Sequence, residues 1–145
     1  MRDGELERQY FFVDESGDPA FYDKRGRYIV GEEGCSKILM LGFIRTEEPA
    51  PLRKALEDLQ KEIKKDTYLH GIPSFQKTVR AFHAKDDSPE IRERMYKLIV
   101  DLDFKAEFVV ARKKEEIFRK RHKGKENIFY DNLITKLFEN KIHRA

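Results

Sequence analysis

Tyr10-Phe11-Phe12-Val13-Asp14-Glu15-Ser16-Gly17-Asp18-Pro19 is the stretch on which the reading of this chain turns. Its first four residues are aromatic or apolar, and its last five form a turn cluster. A short apolar run bounded in this way predicts a buried strand that stops at Asp14. A strand ending in Asp beside a Gly turn aims a carboxylate out of the sheet edge. In open α/β sheets, sites lie at the carboxyl ends of strands. Asp14 is therefore a candidate ligand for a hard cation, Mg2+ or Mn2+, which takes oxygen donors. Glu15 points to the opposite face if the strand persists, and joins Asp14 only if the turn has already begun. The rival reading of the same residues is an Asx-type turn cap without chemistry.

Working outward, residues 37–44 predict a second, stronger strand, and Gly42 inside it predicts close packing. Both strands are near-continuous apolar runs, so residues 10–13 are expected at the centre of a mixed sheet, beside residues 37–44. Residues 28–30 are expected as a short strand, and residues 79–84 as a short strand or an extended connection. Pro49 and Pro51 open a helix whose apolar face carries Leu52, Leu56, Leu59 and Ile63. Ser88-Pro89-Glu90 is a helix start, with Ser as cap, Pro first and an acid in the first turn. Residues 104–111 predict a strand, 113–121 a short helix stopped by Gly124, and 126–142 a last helix. The order of elements predicts an α/β layer fold. Leu56, Leu59, Ile63, Met95, Leu98, Phe108, Leu133 and Leu137 are expected in the core.

The 145 residues suit one domain, and that length buries a core without disulfide or metal staples. Charged residues make up 39%, against roughly 25% in an average domain. The excess implies amphipathic helices with charged outer faces. Cys35 is the only cysteine, which excludes an intrachain disulfide and is expected as a loop or buried thiol. The longest apolar run, 38–44, is far too short to span a bilayer. The charged opening Met1-Arg2-Asp3-Gly4-Glu5 has no apolar signal region. These features predict a cytoplasmic protein with no membrane partner.

Net charge is +3, but residues 112–125 hold eight Lys or Arg against two acids. Arg112, Lys113, Arg119, Lys120, Arg121 and Lys123 are candidates to follow a phosphate backbone. The alternative is a solvated helix face. A second cluster, His83, Lys85, Asp86 and Asp87, precedes a helix. His83 is a candidate general base and Asp86 a candidate metal ligand. The alternative is that the acids only cap the next helix.

The opening motif resembles that of the DUF3800 family, a bacterial domain of unknown function. The family typically begins with an apolar strand followed by Asp-Glu-Ser-Gly. Its later features resemble Ile38-Leu39-Met40-Leu41-Gly42-Phe43-Ile44, Phe82-His83-Ala84-Lys85-Asp86 and the strand at 104–111. The resemblance covers nearly the whole chain in order, but only its opening motif is specific. It implies a ribonuclease-H-like mixed sheet flanked by helices over residues 1–145, as one domain or the N-terminal portion of one. It also implies a hydrolase in which acids hold Mg2+ or Mn2+ for phosphodiester cleavage. Asp14 would be the leading ligand, with Glu15 and Asp86 behind it. Family members continue past the point matched by Ala145 to a further strand ending in an acid. The sheet is therefore expected to be incomplete on its C-terminal side. That shortfall keeps a second expectation open, a non-catalytic nucleic-acid- or protein-binding domain of the same fold. A homodimer through the apolar C-terminal helix is the third.

Overall fold

The computed structural model describes residues 8–139 and Lys141. It is a mixed α/β structure with three strands and five helices among the described residues. The contacts fall into two compact units. One holds Thr46–Phe104 along with Tyr10, and the other holds Phe11–Arg45 and Lys105 onward.

The sheet unit contains β1 (Tyr10–Gly17), β2 (Ile38–Thr46, whose last residue belongs to the helical unit), β3 (Lys105–Arg112), α4 (Glu115–His122) and α5 (Glu126–Phe138). Strand order is β1-β2-β3. β2 pairs antiparallel with β3, in a register running from Ile38 opposite Arg112 to Arg45 opposite Lys105. The central strand is thus β2, and β1 lies at one edge of the described sheet. This corrects the expectation of a central β1. The expected burial is corrected too: Tyr10 and Phe11 are half-buried, while Phe12 and Val13 are exposed. An apolar run does not count hydrogen-bonded neighbours, and at a sheet edge only the inward parity is covered.

Strand alternation sorts the side chains into two faces. Leu39, Leu41 and Phe43 of β2 turn inward, joined by Phe11 of β1 and by Val109 and Ala111 of β3. Phe118 of α4 and Phe129, Leu133 and Leu137 of α5 close this core. Each buried Leu contributes about 1.5–3 kcal/mol. Phe21, from the connection after β1, stacks on Phe118 with ring centroids 3.8 Å apart. The apolar stripe of α5 is therefore buried within its own unit, rather than left open for a second copy. Ile142, the expected end of this helix, lies outside the described residues.

The opposite face is open. Phe108 is 65% exposed, and Val110 and Ile38 are exposed with it. This corrects Phe108 as a core residue, because it shares the parity of Gly42, its partner across the ladder. Its ring lies over that glycine, and a Cβ there would stand only 2.4 Å from it. The close packing expected at Gly42 is present, on the outer face.

In the helical unit, α1 (Pro49–Lys65) leads through a 3-10 turn (Thr67–Leu69) and a short α2 (Phe75–Thr78) to α3 (Pro89–Val100). Leu59, Ile63, Leu69, Phe75 and Ile91 form its core, with Met95 and Leu98 packed beside them. The Ser88 hydroxyl accepts the Ile91 amide at 3.4 Å, capping α3 as the sequence predicts. Arg94 of α3 reaches Asp66 at the end of α1, 2.5 Å away. That ion pair holds the Asp66 carboxyl below its ordinary value. Residues 79–84 form turns and extended chain, not a strand, and at 28–30 only Tyr28 bridges, to Tyr22.

Candidate functional site

β1 does not stop at Asp14 but runs on to Gly17. Gly17 ends it, with φ +93, where a Cβ would stand 2.5 Å from the Ile38 carbonyl oxygen. Only glycine takes this position without strain. Asp14 and Glu15 therefore both sit on a continuing strand and diverge. Asp14 lines a shallow outer groove of about 170 Å3 with Phe12, Ser16, Met40, Ile44 and Phe108, and Glu15 also borders it. Its Oδ1 accepts the Glu15 amide at 2.9 Å. No ion pair reaches it among the described residues.

The Glu15 carboxylate instead accepts the Tyr130 hydroxyl of α5 at 3.2 Å. Burial raises the Tyr130 hydroxyl above its ordinary value, as do the charges of Glu15 and Asp14 nearby. The sequence suggests packing for Tyr130 and carries no signal for this contact.

Asp86 and His83 belong to the helical unit, while Asp14 belongs to the sheet unit. Asp86 pairs with Lys77 at 3.5 Å. Its neighbour Asp87 is buried, accepting the Thr78 hydroxyl at 2.5 Å and the His83 amide at 2.7 Å. These bonds fold the turn before α3 and reach none of its first amides, so Asp87 is structural but does not cap the helix, a role that Ser88 takes. His83 is exposed.

The basic segment divides. Arg119 pairs with Glu115 at 2.8 Å and donates to the Tyr22 hydroxyl at 2.9 Å. Lys120 pairs with Glu116 at 2.7 Å. Such exposed pairs along a helix contribute about 0.3–0.5 kcal/mol each. Arg121, Lys123 and Lys125 are exposed and have no ion pair among the described residues. Lys123 takes the left-handed conformation with φ 54, and Gly124 follows at φ 63, which turns the chain away from α4. The stop expected at Gly124 is found there. Arg112 and Lys114 are also exposed.

Lys113 departs from its neighbours and from the phosphate-contact role. Its side chain is 0% exposed. The ammonium donates to the Ala20 carbonyl at 2.7 Å, to Asp18 Oδ1 at 3.1 Å and to Cys35 Sγ at 3.4 Å. It also lies 5.6 Å from the centre of the Phe21 ring. A charged group is withdrawn from water only when paired and hydrogen-bonded, and here all three donors are used. Asp18 in turn accepts the amides of Ala20 at 2.9 Å and Ser36 at 3.1 Å. Burial raises the Asp18 carboxyl, but the Ser36 amide and Lys113 outweigh it and hold it below its ordinary value. The sequence does carry a signal for this cluster. Lys113 continues the inward parity of Val109 and Ala111.

Mg2+ takes six oxygens in an octahedron, several of them from water, and still needs one or two converging carboxylates from the protein. Among the described residues, no three of His, Cys, Asp and Glu converge on a common point. Asp14 offers one open carboxylate, while Glu15 is engaged by Tyr130. The described residues thus do not by themselves make a two-metal centre. No described helix is long and apolar enough to cross a membrane. Comparison with protein-family models, curated proteins and solved structures finds no match.

Proposed function

We propose that this chain is a nuclease-like, nucleic-acid-binding domain of ribonuclease-H-like architecture. It meets a phosphate backbone with the cations at the C-terminal end of α4. One observation carries the reading: Arg121, Lys123 and Lys125 are exposed and unpaired among the described residues, whereas Arg119 and Lys120 are tied to acids on their own helix. Cations without protein partners are the ones available to displace counterions from a nucleic acid. A meander-like strand order with helices packed on one face is in keeping with the architecture. The test is binding to labelled single- and double-stranded oligonucleotides at low salt. Detectable binding that weakens on joint replacement of Arg121, Lys123 and Lys125 by Ala supports the reading. No binding to any oligonucleotide would leave only a solvated helix face.

A second reading, a nuclease dependent on Mg2+ or Mn2+, draws support from Asp14, an exposed carboxylate with no cationic partner among the described residues. It needs further oxygen ligands, for which Glu15 and Asp86 are the proposed sources, with His83 as the proposed base. Calorimetric titration with Mn2+ tests it. Saturable binding abolished by Asp14→Asn supports a cation site, and equal heats for both proteins would remove it.

A further inference from the structure

The buried Lys113 cluster brings together three side chains remote in sequence. Cys35 is 5% exposed and sits in a turn with Gly31 and Gly34, both at positive φ. Its amide donates to the Glu32 carbonyl at 3.0 Å, and its carbonyl accepts the Gly31 amide at 2.9 Å. Its sulfur faces the Lys113 nitrogen at 3.4 Å, the Ala20 carbonyl at 3.4 Å and Asp18 Oδ1 at 3.6 Å. Lys113 is fixed at the other end by its own backbone, whose N–H donates to the Lys37 carbonyl at 2.9 Å. A nucleophilic sulfur and a primary amine are thus held in van der Waals contact, with a carboxylate beside both.

We propose that Cys35 and Lys113 form an oxidative cross-link when the protein meets hydrogen peroxide. In the first step the Cys35 sulfur attacks one peroxide oxygen and the O–O bond breaks. The thiol proton leaves with the departing hydroxide as water, and the sulfur, oxidised by two electrons, becomes a sulfenic acid. In the second step the Lys113 ammonium gives a proton through Asp18 to solvent, and the neutral amine attacks the sulfenic sulfur. The S–N bond forms, the S–O bond breaks, and the hydroxyl leaves with an amine proton as a second water. One peroxide is consumed and no other oxidant is required. A sulfenic acid condenses with a thiol or with a nitrogen nucleophile, the latter giving an S–N bond. Here the Lys113 nitrogen is already at contact distance, which converts the condensation into an intramolecular step. Entry of peroxide requires the turn around Cys35 to open, and turns open at lower cost than core strands. The product fastens that turn to the end of β3.

The test uses the full chain treated with hydrogen peroxide, capped with iodoacetamide, digested with trypsin and mapped by mass spectrometry. The expected result is one species joining the Cys35 and Lys113 peptides. It lacks cleavage after Lys113 and has lost two hydrogens relative to the separate peptides. Excess dithiothreitol should return both parent peptides, since thiols cleave the S–N bond to thiol and amine. The same treatment in urea should give no joined species, because only the fold brings the two residues together. Cys35→Ser should abolish the link in the folded chain. The wild-type map decides the matter even if substitutions at Lys113 prevent folding. Recovery of Cys35 only as unmodified thiol, as simple sulfur oxides or as an intermolecular disulfide would overturn the proposal. So would equal cross-linking in urea.

Discussion

Lys113 and Lys123 belong to one basic run of the sequence, and the structure uses its two ends differently. At the first end, Lys113 is buried under Phe21 and bonded to Asp18 and Ala20. At the other, Arg121, Lys123 and Lys125 stand in solvent with no ion pair among the described residues. The middle, Arg119 and Lys120, is paired with Glu115 and Glu116. A charge count over a segment therefore overstates what is available to a partner. Position relative to the strand parity and to acids one helical turn away decides which cations remain.

The largest effect is expected at Lys113. Lys113→Ala leaves Asp18 without its cation and a cavity against Phe21, and should destabilise the chain by about 3 kcal/mol. Urea unfolding reads this directly. A stability within 0.5 kcal/mol of wild type, the range of roughly neutral surface changes, would show that the ion pair is not holding β3 to the Asp18 turn.

Asp18→Asn should cost less, about 1–2 kcal/mol, because Asp18 is partly exposed and Lys113 keeps the Ala20 carbonyl. The same variant sharpens the pH dependence. Asp18 has a folded-state pKa below its unfolded one, so the stability it adds is present above about pH 4 and is lost as pH falls through the folded value. Thermal melts from neutral to acid pH should show the wild type losing more stability than Asp18→Asn. Parallel curves would remove Asp18 from the acid response.

Asp14→Asn is the contrasting case within the same motif. Its carboxylate is exposed and accepts only the following amide. The melt should therefore stay within about 0.5 kcal/mol of wild type. A large loss would mean that Asp14 is a structural turn residue after all.

Much of the fold was legible in local patterns. The cap at Ser88, the prolines in the first turn of α1 and the glycine after α4 each act within one helical turn, and each element is found where these residues imply. Misreadings came where the outcome depends on distant partners. Phe108 belongs to an apolar strand, but its parity is set by the register that pairs it with Gly42. β1 looks central by composition, yet it has one neighbour in the described sheet. The site was legible to the same degree. Asp14 is exposed on β1, but whether Glu15 joins it depended on where the strand ends, and Gly17 rather than Glu15 ends it. Glu15 is then directed to Tyr130, a contact no local pattern encodes. The Asp18–Cys35–Lys113 cluster joins three separate segments, and only the parity of Lys113 hinted at it.

The measurement that tests the central reading most directly is the salt dependence of oligonucleotide binding, for the wild type and for the chain with Arg121, Lys123 and Lys125 all replaced by Ala. Each phosphate neutralised steepens the fall of log K with log salt by roughly 0.7–0.9. The triple variant should bind more weakly and have a slope shallower by about 2, while Lys113→Arg, if folded, should leave the slope unchanged. Equal slopes for wild type and triple variant would contradict the assignment of these three cations to the phosphate backbone.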